Sequence, residues 1–204
     1  MIDWLREDGA KIRTDIVQKR NYKVFTDGVV LIYSLIGRLV HGISPTAFAH
    51  KYKHGMPRPE EVIGAWARGE YQVSSITDRE LRRYVNVDEV LKDQRRFTMY
   101  PEGSPNHPSL GAMHSALASA ALIFPIVFDL TDSQQQQCIK VTGATAYGRT
   151  MAGVHYCQDN SYGLEMGEKA VAKILPDFLS VGGFDKVAVR ELCKVYTHDW
   201  SVAA

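Results

Sequence analysis

An all-α helical bundle is the fold this chain predicts, on three observations. Apolar residues recur at helical spacing, as through Val24 to Leu39 and Tyr162 to Leu179. Helix punctuation recurs as well: Pro59-Glu60-Glu61 opens one segment and Gly182-Gly183 stops another. Alternating apolar and polar runs joined by paired turn signals, the mark of hairpins, are missing. At 204 residues and 45% apolar content, one domain spanning 1–204 can bury a real core. Basic and acidic residues nearly balance at 24 and 23, leaving a net charge of +1. That balance gives neither nucleic acid nor an anionic membrane as an expected partner, so any positive potential has to be local.

Taken in order, Val24 to Leu39 predicts a central helix ending near His41-Gly42. A second helix begins at Pro59, with acids in its first turn. Asp78 to Val85 and Asp88 to Phe97 predict short surface helices. The stretch 97–110, FTMYPEGSPNHPSL, carries three prolines and a glycine and reads as a loop. Ser109 is placed to cap a long helix from about Gly111 to Leu130, kinked or shortened at Pro125. Within it, Ala116 to Phe128 is the longest apolar stretch. Its roughly 13 residues fall short of the ~20 that a membrane span needs, so it reads as a buried core helix. Asp132-Ser133 caps the next helix, carrying Gln134 to about Tyr156. Tyr162 to Leu179 and Phe184 to Tyr196 complete the bundle.

The N-terminus, MIDWLREDGAKIRTD, is charged throughout and has no apolar core of a secretory signal. Cys138, Cys157 and Cys193 are scattered, with no CxxC pair. The expectation is a cytoplasmic protein with reduced thiols.

Three clusters of basic residues and histidines stand out: Lys51-x6-Arg58-Pro59, His107-Pro108-Ser109-Leu110-Gly111-Ala112-Met113-His114, and Arg149-x5-His155-x3-Asp159. Fixed cations with histidines beside glycines are suited to enclosing an oxyanion, since arginine and lysine supply charge and donors while imidazole binds, attacks or moves a proton. In the second cluster, Gly111 to His114 falls at a helix start, where free amides and the helix dipole favour an anion. In the third, Arg149 and His155 converge if the helix ends between them, as Gly148 and Gly153 permit. His155 and Asp159, at i and i+4, stand one above the other, so the carboxylate is placed to set the imidazole tautomer. Each cluster alone has an ordinary reading: a solvated basic loop joined by Lys53, His54 and Arg68, a surface loop histidine, and a helical charge pair.

Together, in this order and at these gaps, the clusters resemble one family: the vanadium-dependent haloperoxidases and the acid phosphatases that share their fold. The family signature runs KxxxxxxRP, PSGH, SRxxxxxHxxxD. Lys51 and Arg58-Pro59 fill its first part; Arg149, His155 and Asp159 fill the third, with Gly148 in the place of serine. The wording AYGRTMAGVHYCQDNSYGLEMGE (146–168), with SPNHPS (104–109) upstream, is most similar to algal and bacterial bromoperoxidases. The similarity covers about residues 45–175. It departs in the second part, where Ala112-Met113 replaces Ser-Gly before His114; Ser109 and Ser115 are the hydroxyls nearby.

The resemblance implies a helical bundle of the haloperoxidase type and a vanadate cofactor. In that pattern His155 coordinates vanadium, Lys51, Arg58, Arg149 and the Met113 amide hold its oxygens, and His114 is the acid/base. His107 occupies the position of a second active-site histidine that influences the halide. The expected partners are hydrogen peroxide, a halide (bromide) and a small organic acceptor. The phosphatase alternative needs no metal: His155 attacks phosphorus, Asp159 orients it and His114 protonates the leaving group. A third reading, motivated by Ala112 and Met113, is a non-catalytic homologue that binds an oxyanion or only assembles. The chain is shorter than the algal and fungal enzymes, which makes a homo-oligomer the expected assembly.

Overall fold

The computed structural model describes residues 11–13 and 24–200, without the side chains of 11–12, of 24–32 and of Leu35. The N-terminal stretch read above for a secretory signal, apart from residues 11–13, lies outside the described residues. A short strand β1 (Lys11–Ile12) precedes helix α1, which spans Val24–His54. Sequence expected α1 to stop near His41-Gly42, and it does not. Gly42 is a packing glycine rather than a cap, because a Cβ there would lie 2.8 Å from Cδ1 of Ile174. The helix also continues through Pro45, and Ser44 Oγ donates to the Val40 carbonyl at 2.7 Å. Its buried face is an i+4 series, Leu39, Ile43, Ala47 and then Lys51, all fully buried.

Helix α2 (Pro59–Ala67) follows, with Arg58 at its N-cap, Pro59 at its first position and Glu61 accepting from the Arg58 amide at 2.6 Å. Helix α3 (Ser75–Tyr84) is capped by Ser74, and α4 (Val87–Lys92) by Asn86. The expected helix from Asp88 to Phe97 is instead divided: extended backbone at Asp93 separates α4 from a 3-10 turn at Gln94–Phe97. The 97–110 segment is a loop beyond that turn, as expected.

The expected long helix from Gly111 to Leu130 is three short pieces: α5 (Met113–Ala118), a 3-10 turn (Ser119–Leu122) and α6 (Ile123–Val127). Ser119 Oγ reaches out to the Leu164 carbonyl at 2.8 Å, and Pro125 lacks an amide donor, so the ladder tightens and ends. The chain then extends into β2 (Phe128–Asp129), antiparallel to β1. Ser109 does not cap α5; Ala112 holds the N-cap position without a side-chain bond.

Helix α7 covers Asp132–Met151, with Thr131 as N-cap, and stops five residues short of Tyr156. Helix α8 covers Cys157–Val181 and begins ahead of Tyr162; Gly182 is its C-cap. Helix α9 (Lys186–Tyr196) is capped by Asp185. Apart from the one two-stranded pair, the described elements are helical, so the fold is all-α. No helix among the described residues is long and apolar enough to cross a membrane.

Helix α8 is the central element, touching α1, α5, α7 and α9. Val171, Leu175 and Leu179 bury its inner face against Leu39 and Ile43 of α1, the Ile123–Val127 segment, and Val189 and Cys193 of α9. Ala116 to Phe128 does form core, with Ile123, Ile126 and Val127 fully buried. Two glycines set the closest approach. A Cβ at Gly163 would sit 2.6 Å from the Ala112 carbonyl, and one at Gly167 would run into the Ala116 carbonyl. Only glycine lets the start of α5 lie directly on α8.

Candidate oxyanion site

Lys51 reaches the site because it ends the buried stripe of α1. Its ammonium donates to the carbonyls of Pro108 at 2.9 Å and Ser109 at 3.1 Å. Burial, then the neighbouring Arg58 charge, pull its pKa down from 10.5 to about 8, against an opposing pull from Asp159. The reading of this cluster as a solvated loop fails for Lys51 and Arg58, which are buried; Lys53, His54 and Arg68 do stay exposed.

Arg58, held at the start of α2, is the hub of the site. Its Nε donates to the His107 carbonyl at 2.9 Å and one terminal nitrogen donates to the Val154 carbonyl at 2.7 Å. That same nitrogen lies 2.9 Å from Nε2 of His155, and the other lies 2.9 Å from Nδ1 of His107. Guanidinium nitrogens only donate, so both imidazole nitrogens accept.

Helix α7 ends between Arg149 and His155, which leaves both near the site without bringing their side chains into hydrogen-bond contact. The chain turns at Gly153, whose φ of 74° places it in the left-handed region that glycine adopts freely. His155 and Asp159 do pair, but not on one helix face. His155 precedes α8, while Asp159 sits in its first turn, where Oδ2 accepts from the Tyr156 amide at 3.0 Å and lies 3.1 Å from His155 Nδ1. Ser109 Oγ donates to the same Oδ2 and is 3.3 Å from His155 Nδ1. Burial alone would raise the Asp159 pKa; bonds from His155, Ser109 and the Tyr156 amide outweigh it and hold the carboxyl below its ordinary range. The carboxylate accepts, so His155 carries its proton on Nδ1 and presents the Nε2 lone pair to Arg58. Burial in the first place pushes the His155 pKa down to about 4, assisted by Arg58 and Lys51 and opposed by the Asp159 bond. At neutral pH the ring is uncharged.

Arg149 stands at the rim. Its guanidinium carbon lies 5.0 Å from the Tyr100 ring centroid and one terminal nitrogen donates to the Tyr100 hydroxyl. Its Nε is buried without a partner. His114, the second residue of α5, is exposed. Partial desolvation, then the charges of Arg149, Lys51 and Arg58, hold its pKa below the usual value. His107 is lowered chiefly by burial and meets the Phe48 ring edge-on at 5.4 Å. Met113 begins α5, and its side chain packs against the apolar core.

The structure thus joins Lys51, Arg58, His107, His155 and Asp159 in one bonded network through the Pro108-Ser109 carbonyls. Arg149 and His114 stand beside it, coupled by charge. Several contributors were not evident from sequence. Tyr100 pairs with Arg149. Asn160 ties three helices, accepting from Ser115 Oγ at 3.0 Å and donating to Thr150 Oγ1 at 2.6 Å. Nothing in the sequence distinguishes Asn160 from an exposed polar residue, whereas Ser109 reads there as a helix cap.

Chemically this is a cluster of positive charge. Among the described residues no side-chain carboxylate lies within ion-pair distance of Lys51, Arg58 or Arg149, and Asp159 faces the far side of the imidazole. No cluster of three or more acidic, histidine or cysteine side chains suited to a metal cation occurs there. The donor set, with one imidazole lone pair, several cationic N–H groups and an orphaned Arg149 Nε, fits a tetrahedral oxyanion such as vanadate or phosphate. Ala112 contributes no hydroxyl. No family model, curated protein or solved structure matches the chain.

Proposed function

We propose that this protein is a vanadium-dependent haloperoxidase, oxidising a halide, bromide for preference, with hydrogen peroxide for transfer to a small organic acceptor. The supporting observation is the neutral His155 ring, anchored at Nδ1 by Asp159 and directing its Nε2 lone pair at Arg58, a buried guanidinium held by carbonyls and imidazoles and not by a carboxylate within ion-pair distance. Bound vanadate would supply Lewis-acid activation of the peroxide. His155 Nε2 would hold it once Arg58 gives up that contact, with Lys51, Arg58, Arg149 and the Met113 amide around its oxygens. Lys51, with a pKa near 8, stays mostly charged at neutral pH and polarises a bound oxygen. His114, held below its usual pKa and open to solvent, is neutral there and accepts a proton from an incoming reactant.

The same geometry favours a second reading. A histidine with Nδ1 tied to a buried carboxylate is arranged as a nucleophile, and a soluble acid phosphatase would attack phosphorus through Nε2 to give a phosphohistidine. Asp159 would hold the ring and His114, in its protonated form at acid pH, would protonate the departing alcohol.

Vanadate-loaded protein is tested for peroxide-dependent bromination of a dye, and metal-free protein for aryl phosphate hydrolysis. Bromination that vanishes in His155→Ala supports the first reading; hydrolysis that vanadate inhibits supports the second. Silence in both, reversed by Ala112→Ser with Met113→Gly, identifies a site weakened by those substitutions, while silence without rescue rejects both chemistries. A cytoplasmic homo-oligomer belongs to the same proposal, its oligomeric part supported by the exposed Phe48 and Tyr52 of α1 and Met56 just beyond the helix. Light scattering that gives a monomer mass removes it.

A further inference from the structure

We infer that Ser109 is a positioning residue for His155, acting through Asp159, and that the hydroxyl missing at Ala112 has a counterpart behind the histidine instead of beside the oxyanion. The inference rests on the oxyanion reading above for its functional consequence, but not for its geometry.

Ser109 is fully buried and every polar atom it owns is hydrogen-bonded, its hydroxyl and carbonyl to the site. Its hydroxyl donates to Asp159 Oδ2, the oxygen that also faces His155 Nδ1 and the Tyr156 amide. Its carbonyl accepts from Lys51 Nζ at 3.1 Å, and its amide donates to the Met56 carbonyl at 2.7 Å. One residue therefore links the end of α1, the turn before α2 and the start of α8.

The side-chain bond has a specific consequence. A carboxylate with a single partner can rotate about its terminal torsion, since that torsion is broad. Here the Oδ2 atom takes donors from three directions, so its position is over-determined. The imidazole that donates to it is then fixed both in ring orientation and in tautomer, with Nε2 kept free of a proton. Without the hydroxyl, the buried carboxylate loses one of its donors and the constraint on the ring relaxes. The backbone bonds of Ser109 to Lys51 and Met56 do not depend on its side chain, so its substitution separates the two roles.

The test uses full-length wild type, Ser109→Ala and Ser109→Cys, the thiol being a weaker donor of similar size. Imidazole nitrogen shifts of His155 are read by NMR at one neutral pH, and vanadate affinity by calorimetry. Wild type is expected to show the Nδ1–H tautomer alone. Ser109→Ala is expected to show a mixture of tautomers and to bind vanadate about tenfold more weakly, the loss typical of one hydrogen bond to a charged group. Ser109→Cys falls between the two, an order that a purely structural role would not produce. Unchanged His155 shifts in both variants overturn the inference. If Ser109→Ala fails to fold, the cysteine variant alone decides by its shifts. Wild type that binds no vanadate, phosphate or tungstate overturns the oxyanion reading, and the tautomer result still decides the role of Ser109.

Discussion

Raising the pH from 7 to 9 should weaken oxyanion binding and stabilise the anion-free protein at the same time, and one residue, Lys51, accounts for both. Its ammonium is buried and held to a pKa of about 8. The charged form binds the anion, so affinity is retained below about 8 and lost as the pH climbs through it. The charged fraction falls from about nine-tenths at pH 7 to about one-tenth at pH 9, which is about ninefold in affinity or ~1.3 kcal/mol. Stability runs the other way. The unfolded lysine keeps its proton until 10.5, so the cost of burying the charge is fully present below 8 and is relieved between 8 and 10.5. The Cys193 thiol, raised by burial to about 11, opposes this trend above pH 9, because its contribution is lost as the unfolded thiol ionises. A comparison with Lys51→Met cancels the thiol and isolates the lysine. Tungstate is the suitable probe, since its charge is constant over this range. Calorimetry should show its dissociation constant rising with pH in wild type and staying flat in Lys51→Met. A wild-type constant that does not move between pH 7 and 9 refutes both the buried charge and its place in the anion site.

Arg149→Met should weaken tungstate about tenfold or more, the equivalent of one charge-assisted contact, while urea midpoints shift little because the side chain stands half-exposed at the rim. Equal affinity in this variant would place the arginine outside the site. Asn160→Ala removes one buried and one partly buried hydrogen bond and should destabilise the protein by about 1–3 kcal/mol in urea unfolding, with the m-value unchanged. Gly163→Ala forces a methyl onto the Ala112 carbonyl at 2.6 Å, a backbone atom that cannot step aside; a loss of about 1–3 kcal/mol together with weaker tungstate binding is expected, since the Ala112 amide is also held by the Asp159 carbonyl. A neutral Gly163→Ala would show that α5 and α8 are not as closely seated as the structure has them.

The parts of this site that sequence made legible are those where chemistry and period coincide. Lys51 continues the series Leu39, Ile43 and Ala47, so the helical period alone marks it as a lysine on a buried apolar stripe; a helix taken to end at Gly42 hides that continuity. The break in the helix between Arg149 and His155 was legible because Gly148 and Gly153 permit it, and the structure ends α7 at Met151 and turns at Gly153. What could not be read was which backbone carbonyls the cations would meet. Arg58 spends donors on His107 and Val154, and Lys51 on Pro108 and Ser109, partners whose identity lies in the path of a loop rather than in any side chain. That distinction bears on mechanism. A cation saturated by carboxylates has little left for a ligand, but a cation held by neutral carbonyls is placed without being neutralised. The loop from His107 to Ala112 therefore orients the charges of the pocket while leaving their sum intact. Substitutions that keep its backbone path should preserve affinity, whereas a new acidic side chain near Pro108 should abolish it.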